Sequence, residues 1–231
     1  MDRFFLIVRR ANSLILFALM LGGAFLFGIN LWPAPLDRPL LVRQADPDIA
    51  SRLRLEEARK VRGTETYYAM LVSEVDERRL SSGPHGEIGR NVLFIQGNAG
   101  SAAWLFPTNA QILRKITPLP RTVDSDAPPS SQPPVLAFYM EVVSADTDGD
   151  GGMGWSDAVD IALSKPDGTK LTTVLTGVSR VLALDTVGDS AAHAELVIIY
   201  QTGLELRHGR IGLEDFKLLS SDRIANMPKS L

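Results

Sequence analysis

Residues 135–175 read VLAFYMEVVSADTDGDGGMGWSDAVDIALSKPDGTKLTTVL. The first eleven, Val135 to Ala145, are almost wholly apolar and rich in β-branched and aromatic side chains, which predicts a strand. An acidic, glycine-rich stretch follows. Ala158 to Ser164 predicts a second strand, Lys165-Pro166-Asp167-Gly168 a tight turn, and Leu171 to Leu175 a third strand. A chain built this way is mainly β.

The same grammar extends in both directions. Upstream, Thr66 to Glu74, Asn91 to Gln96, Ala102 to Pro107 and Gln111 to Ile116 predict strands, with Gly97-Asn98-Ala99-Gly100 as a hairpin turn. Downstream, strands are predicted at Arg180 to Asp185, Glu195 to Thr202 and Arg207 to Leu218. The aromatics Phe94, Trp104 and Phe106 are expected in a core. The Pro/Ser stretch 121–134 divides the domain as a loop.

The two sides of that loop correspond. Phe138-Tyr139 matches Tyr67-Tyr68, Asp160 to Leu163 matches Asn91 to Phe94, and Gly168 matches Gly100. Thr173 to Leu175 matches Ala103 to Leu105, and Arg180 to Leu182 matches Gln111 to Leu113, all at offsets between 68 and 71. Repeats of about 64–120 and 135–190 resemble propeller blades of the Tol-translocation type. Two units cannot close a ring of four or more blades. The resemblance therefore implies antiparallel sheets built from two blade-like repeats, packed as an open pair, a sandwich or part of a ring.

Ahead of this domain, no residue from Ala11 to Leu36 is charged, and Leu14 to Trp32 is almost continuously apolar. At 1.5 Å per residue that run is about long enough for a hydrocarbon core of roughly 30 Å. It predicts a transmembrane anchor over residues 1–36 that contacts lipid through 14–32. The run exceeds a signal-peptide core and offers no small-x-small cleavage site after Phe27. Arg3, Arg9 and Arg10 precede it, and Arg38, Arg43 and Arg52 follow. The expected orientation is N-terminus inside with the domain outside, as in a bacterial-type inner-membrane protein. Ala18 and Gly22, and Ala24 and Gly28, have the spacing of a helix-dimer face.

The linker 37–63 begins with Pro33, Pro35 and Pro39 nearby and is expected to be extended. Asp46-Pro47 then opens a short juxtamembrane helix, Glu56 and Lys60 pair within it, and Gly63 closes it.

Charge and composition narrow the function. The net charge is −3: +4 over residues 1–63, −1 over 64–134 and −6 over 135–231. Cations gather beside the membrane and acids in the distal domain, which argues against a nucleic-acid surface there. There is no cysteine, so disulfides, thiol nucleophiles and thiolate metal sites are excluded. His85, His193 and His208 are scattered, and no Gly-x-Ser-x-Gly, His-x-x-x-His or phosphate-binding glycine loop is present.

Asp146 to Asp157 carries the strongest chemical signal. Read as a twelve-residue loop, it places carboxylates at positions 1, 3, 5 and 12 and a glycine at position 6. Asp146, Asp148, Asp150, Asp157 and the carbonyl of Gly152 are the candidate ligands, and the implied cofactor is calcium. The loop resembles those of EF-hands and dockerins. Asp157 stands where an EF-hand has Glu, Met153 occupies position 8, and the flanks read as strands. The alternative is an acidic turn whose carboxylates bond their own backbone. Trp155 is expected to be a buried loop anchor.

These features lead to a membrane-anchored, envelope-facing, non-catalytic protein-interaction or scaffold domain with an unknown protein partner and calcium as a stabiliser. A membrane-tethered hydrolase and a regulator with a cytoplasmic β domain are the alternatives.

Overall fold

The computed structural model describes residues 53–73, 87–121, 132–188 and 193–227. The predicted anchor, the start of the linker, His85 and most of the Pro/Ser stretch lie outside them. All described residues belong to one compact unit, Arg43–Leu231. Of them, 59% lie in strands, every pairing is antiparallel, and no helix occurs among them. No helix among them is therefore long and apolar enough to cross a membrane.

Two sheets make the domain. The larger follows the order β1 (Leu53–Leu55), β3 (Thr66–Ser73), β4 (Ile88–Gln96), β6 (Ile112–Leu119), β7 (Ala137–Val143), β8 (Val159–Ser164) and β9 (Thr172–Val178). The short β2 (Arg59–Lys60) pairs with β3, and β5 (Ser101–Trp104) pairs with β4. The smaller sheet is a meander of β10 (Arg180–Val187), β11 (Glu195–Thr202), β12 (Glu205–Gly212) and β13 (Leu218–Asn226). β9 and β10 are separated by Ser179 alone, and the chain turns there from one sheet into the other. Gly177 takes a left-handed φ of 66° just before that corner, a conformation that disfavours any side chain. The corner is tied by Ser179 N–H to the Gln201 carbonyl at 2.9 Å and by the Thr202 hydroxyl to the Gly177 carbonyl at 3.1 Å.

The unbroken apolar run of β7 has a direct structural reason, since all seven of its residues are buried. Ala137, Tyr139 and Val143 join a core that also takes Leu196, Ile198, Tyr200 and Ile211 from the smaller sheet. Phe138, Met140 and Val142 face the other way, into a second core with Val92, Phe94 and Ala162. A strand covered on both faces loses the alternation of a half-exposed one. In the second core, Phe138 meets Tyr68 and Phe94 edge-on, at ring separations of 4.9 and 5.4 Å. Such contacts add about 0.5–1.5 kcal/mol to the burial of each ring pair.

The two stretches matched in sequence share part of their strand pairing. Tyr68 pairs with Phe94 and Phe94 with Ala103; in the second stretch Tyr139 pairs with Leu163, but Leu163 pairs with Thr172 and not with Thr173, the counterpart of Ala103, after an irregularity in the β8–β9 register. Gly100 and Gly168, in the equivalent turns, both have positive φ, at 61° and 84°. The two units nevertheless do not form separate blades. β6 pairs with β7 along its whole length, which fuses them into one sheet, and β10 leaves for the smaller sheet.

Four expectations are corrected. The described part of the linker is not helical: Leu53 pairs with Ser73 and Arg59 with Tyr68, and Glu56 N–H donates to the Met70 carbonyl at 2.8 Å. β3 has a margin of backbone donors and acceptors to satisfy, and pairing with it overrides the local helix preference of Leu53 to Lys60. Lys60 pairs with Glu65 at 3.1 Å, not with Glu56. Arg207 to Leu218 is not one strand, because the chain turns between Gly212 and Lys217, held by Phe216 N–H to the Gly212 carbonyl and Lys217 N–H to the Asp215 carboxylate, both at 3.0 Å. Trp104 is 48% exposed on β5, whereas Phe94 is buried and Phe106 packs against the second core as expected.

Candidate metal centre

The connection from β7 to β8 contains the acidic loop, and the backbone of that loop is folded around its own carboxylates. Asp146 Oδ1 accepts from Gly149 N–H at 2.7 Å and Oδ2 from Gly151 N–H at 2.9 Å. Asp148 accepts from Asp150 N–H at 3.1 Å, and Asp150 from Gly152 N–H at 3.0 Å. Gly149 and Gly151 have φ of 79° and 95°, where a side chain would be strained. This is the local bonding expected of short acidic side chains in turns.

Asp157 closes the loop. It is 1% exposed. Its Oδ1 accepts from the Thr147 hydroxyl at 3.0 Å and from the Thr147 and Asp148 N–H groups, and its Oδ2 from Gly154 N–H at 2.6 Å. Burial pushes its pKa up, but the bonds from Thr147, Gly154 and Asp148 outweigh burial and hold the carboxyl below its ordinary value. The Thr147 hydroxyl in turn accepts from Ala158 N–H at 2.7 Å.

β6 supports the loop from outside. The Arg114 guanidinium donates to the carbonyls of Trp155 and Asp157, both at 3.3 Å, and lies 5.9 Å from the Trp155 ring centre. Its Nε is 4.0 Å from the buried Glu141 carboxylate, which also accepts from the Tyr139 hydroxyl at 3.0 Å. Trp155 is half-buried against this cation, and Met153 packs on the main core.

One oxygen each from Asp146, Asp148 and Asp157 lie within 4.8 Å of one another. A calcium ion with oxygen ligands at about 2.4 Å requires its ligands to be no farther apart than about 4.8 Å, so these three meet the spacing. Each carboxylate has about four lone-pair directions; the backbone bonds leave acceptor capacity on Asp146 and Asp148, whereas Asp157 already accepts four bonds and would have to give up one of them to ligate an ion. Three gathered anions also repel one another, and a divalent cation would remove that cost. The donor set is hard oxygen throughout, which suits calcium rather than zinc or copper. Asp150 belongs to the loop but not to the gathered trio. Gly152 sits beside the Asp150 carboxylate. Arg114 went unnoticed in the sequence because its contact with the loop spans more than forty residues.

His208 lies on β12 opposite Ile199 and Asp222. His193 precedes β11. Neither is part of the gathered trio. No protein-family model matches the chain, and no curated protein matches it significantly.

Proposed function

We propose that this chain is a single-pass membrane protein whose β domain faces the extracytoplasmic side and serves as a non-catalytic protein-interaction or scaffold module, with calcium held by the loop 146–157. The gathering of Asp146, Asp148 and Asp157 oxygens within 4.8 Å carries the metal assignment. Asp150 and the Gly152 carbonyl are the candidates to complete the shell, with water. The bound ion would supply charge neutralisation and loop rigidity rather than chemistry on a substrate. The uncharged run Leu14 to Trp32 supports the anchor, and the abundance of free calcium outside the cytoplasm supports that orientation.

The test is calorimetric titration of the full-length chain in detergent with calcium, alongside thermal melting. Saturable binding with a raised Tm, both lost in an Asp146→Ala, Asp148→Ala double variant, supports the metal site. Absence of heat at millimolar calcium overturns it. Protease accessibility of the domain in spheroplasts tests the orientation separately.

A further inference from the structure

The smaller sheet runs in the order β10, β11, β12, β13, and among the described residues no strand pairs with the outer side of β10 or of β13. β13 is nine residues long and exposes Leu218, Leu219, Asp222, Arg223 and Ile224. β10 exposes Arg180, Ala183 and Asp185. Long edges of this kind present a row of unpaired backbone donors and acceptors to any strand that fits them.

The two edges match each other. Arg180 and Asp185 stand five positions apart on β10, and Lys217, just before β13, stands five positions from Asp222. Each interval contains one register irregularity, between Val181 and Ala183 on β10 and between Leu218 and Ser220 on β13. The pleats of the two edges therefore stay in phase over about 13 Å of strand. Existing pairings fix the faces. Val181 and Leu184 stand beside Tyr200 and Ile198 on the side of the main core, and Leu218 and Ser221 reach the same side beside Ile211 and Gly209. Arg180, Ala183, Asp185, Ser220 and Asp222 occupy the opposite side, and Lys217 joins them by alternation from Leu218. None of Arg180, Asp185, Lys217 and Asp222 forms an ion pair among the described residues.

We infer that β13 of one copy of this chain pairs antiparallel with β10 of a second copy. In the matched register Arg180 meets Asp222, Asp185 meets Lys217, and Ala183 meets Ser220 on the outer face. On the core face Val181 meets Ser221, and Leu184 covers Leu218, which is 39% exposed in the single chain. Charges on an edge ordinarily keep other strands away, but these are opposite in sign at both ends of the register. Pairing of β13 with its own copy about a two-fold axis at its centre would set Asp222 against Asp222. The β10–β13 contact uses different surfaces on the two copies, so it repeats head to tail, as a ring or an open row. Five opposed pairs make a small interface with a Kd of roughly 0.1–1 mM, which leaves dilute chain monomeric. The inference is independent of calcium and of the membrane anchor.

The absence of cysteine allows a direct test by disulfide trapping. Ala183→Cys and Ser220→Cys are placed in separate full-length chains, mixed in detergent at about 0.5 mM, near the expected Kd, and oxidised with diamide. Non-reducing gels are expected to show more covalent dimer in the mixture than in either variant alone. The mixture should also exceed Ala183→Cys combined with Asn98→Cys, since Asn98 lies in the exposed β4–β5 turn of the larger sheet. Arg180→Asp added to the Ala183→Cys chain should lower the yield at least about fivefold, and Asp222→Arg added to the Ser220→Cys chain should restore it. A folding defect would not be repaired by a second charge reversal in another chain. A yield no higher than the Asn98→Cys control overturns the inference. Equal trapping in either variant alone overturns it too, because that is the mark of like edges pairing, as does a yield indifferent to both charge reversals.

Discussion

Arg114 Nη1 lies 3.3 Å from the Asp157 carbonyl oxygen, so a strand of the larger sheet holds the closing residue of a loop forty-three positions further along the chain. The same side chain reaches the Trp155 carbonyl and approaches Glu141. Removing it leaves Glu141 buried with one fewer cation and releases the loop from its outer support. Arg114→Ala is expected to destabilise the domain by about 1–3 kcal/mol, with Arg114→Lys recovering part of the loss. Urea denaturation followed by Trp fluorescence measures it. Unchanged stability would show that the guanidinium contacts add nothing beyond solvent.

Phe138 is 0% exposed at the centre of the second core, edge-on to both Tyr68 and Phe94. Phe138→Ala is expected to cost about 3–5 kcal/mol, and Phe138→Leu clearly less, because the smaller void is partly refilled. The contrast to check is with Trp104→Ala on β5. Its side chain is half exposed, and its loss should change stability by less than about 1 kcal/mol.

The strands were legible in the sequence because they rest on local signals: β-branched runs at Val135 to Ala145 and Glu195 to Thr202, and glycines at Gly100 and Gly168. Part of the correspondence between the two stretches was legible too: Tyr68–Phe94 and Tyr139–Leu163 pair alike, although Leu163 then meets Thr172 and not Thr173, the counterpart of Ala103. Fusion of the two repeats through β6 and β7 was not, since pairing between repeats leaves no mark at the offsets that define them. Leu53 to Lys60 reads as helix because Leu, Arg, Glu, Ala and Lys are all good helix formers, yet its conformation is decided by pairing with the β3 margin. In the loop, carboxylate spacing was legible from residue order. The burial of Asp157 and its support by Arg114 were not, since both depend on a distant strand.

Burial opposes ionisation of Asp157, but its hydrogen bonds prevail and hold its pKa below the ordinary carboxylate value in the folded protein. A depressed folded pKa gives stability that is fully present above the unfolded pKa of about 3.9 and lost as pH falls through the folded value. Asp157→Asn removes that dependence and one acceptor oxygen. The variant should be less stable than the parent by a constant amount above about pH 5, and the gap should narrow below about pH 4. Chemical denaturation at closely spaced pH values reads this directly. A gap that is flat to pH 3 would mean that Asp157 does not titrate differently on folding.

The domain boundary provides the last prediction. β1 and β2 lie before residue 64 and pair with β3 through Leu53–Ser73 and Arg59–Tyr68. Val61, in the same segment, is 1% exposed within the second core, and the Arg62 carbonyl accepts from Val135 N–H at 3.0 Å. A fragment beginning at residue 64 would expose the β3 margin as an unpaired edge and open the second core at Val61. Exposed edges of this kind promote association between copies. A fragment spanning 43–231 is therefore expected to be monodisperse and cooperative in melting, and one spanning 64–231 to melt lower and to aggregate. Light scattering and calorimetry on the two fragments decide it. Equal behaviour would mean that the β1–β2 segment is an accessory to the domain and not part of its sheet energetically.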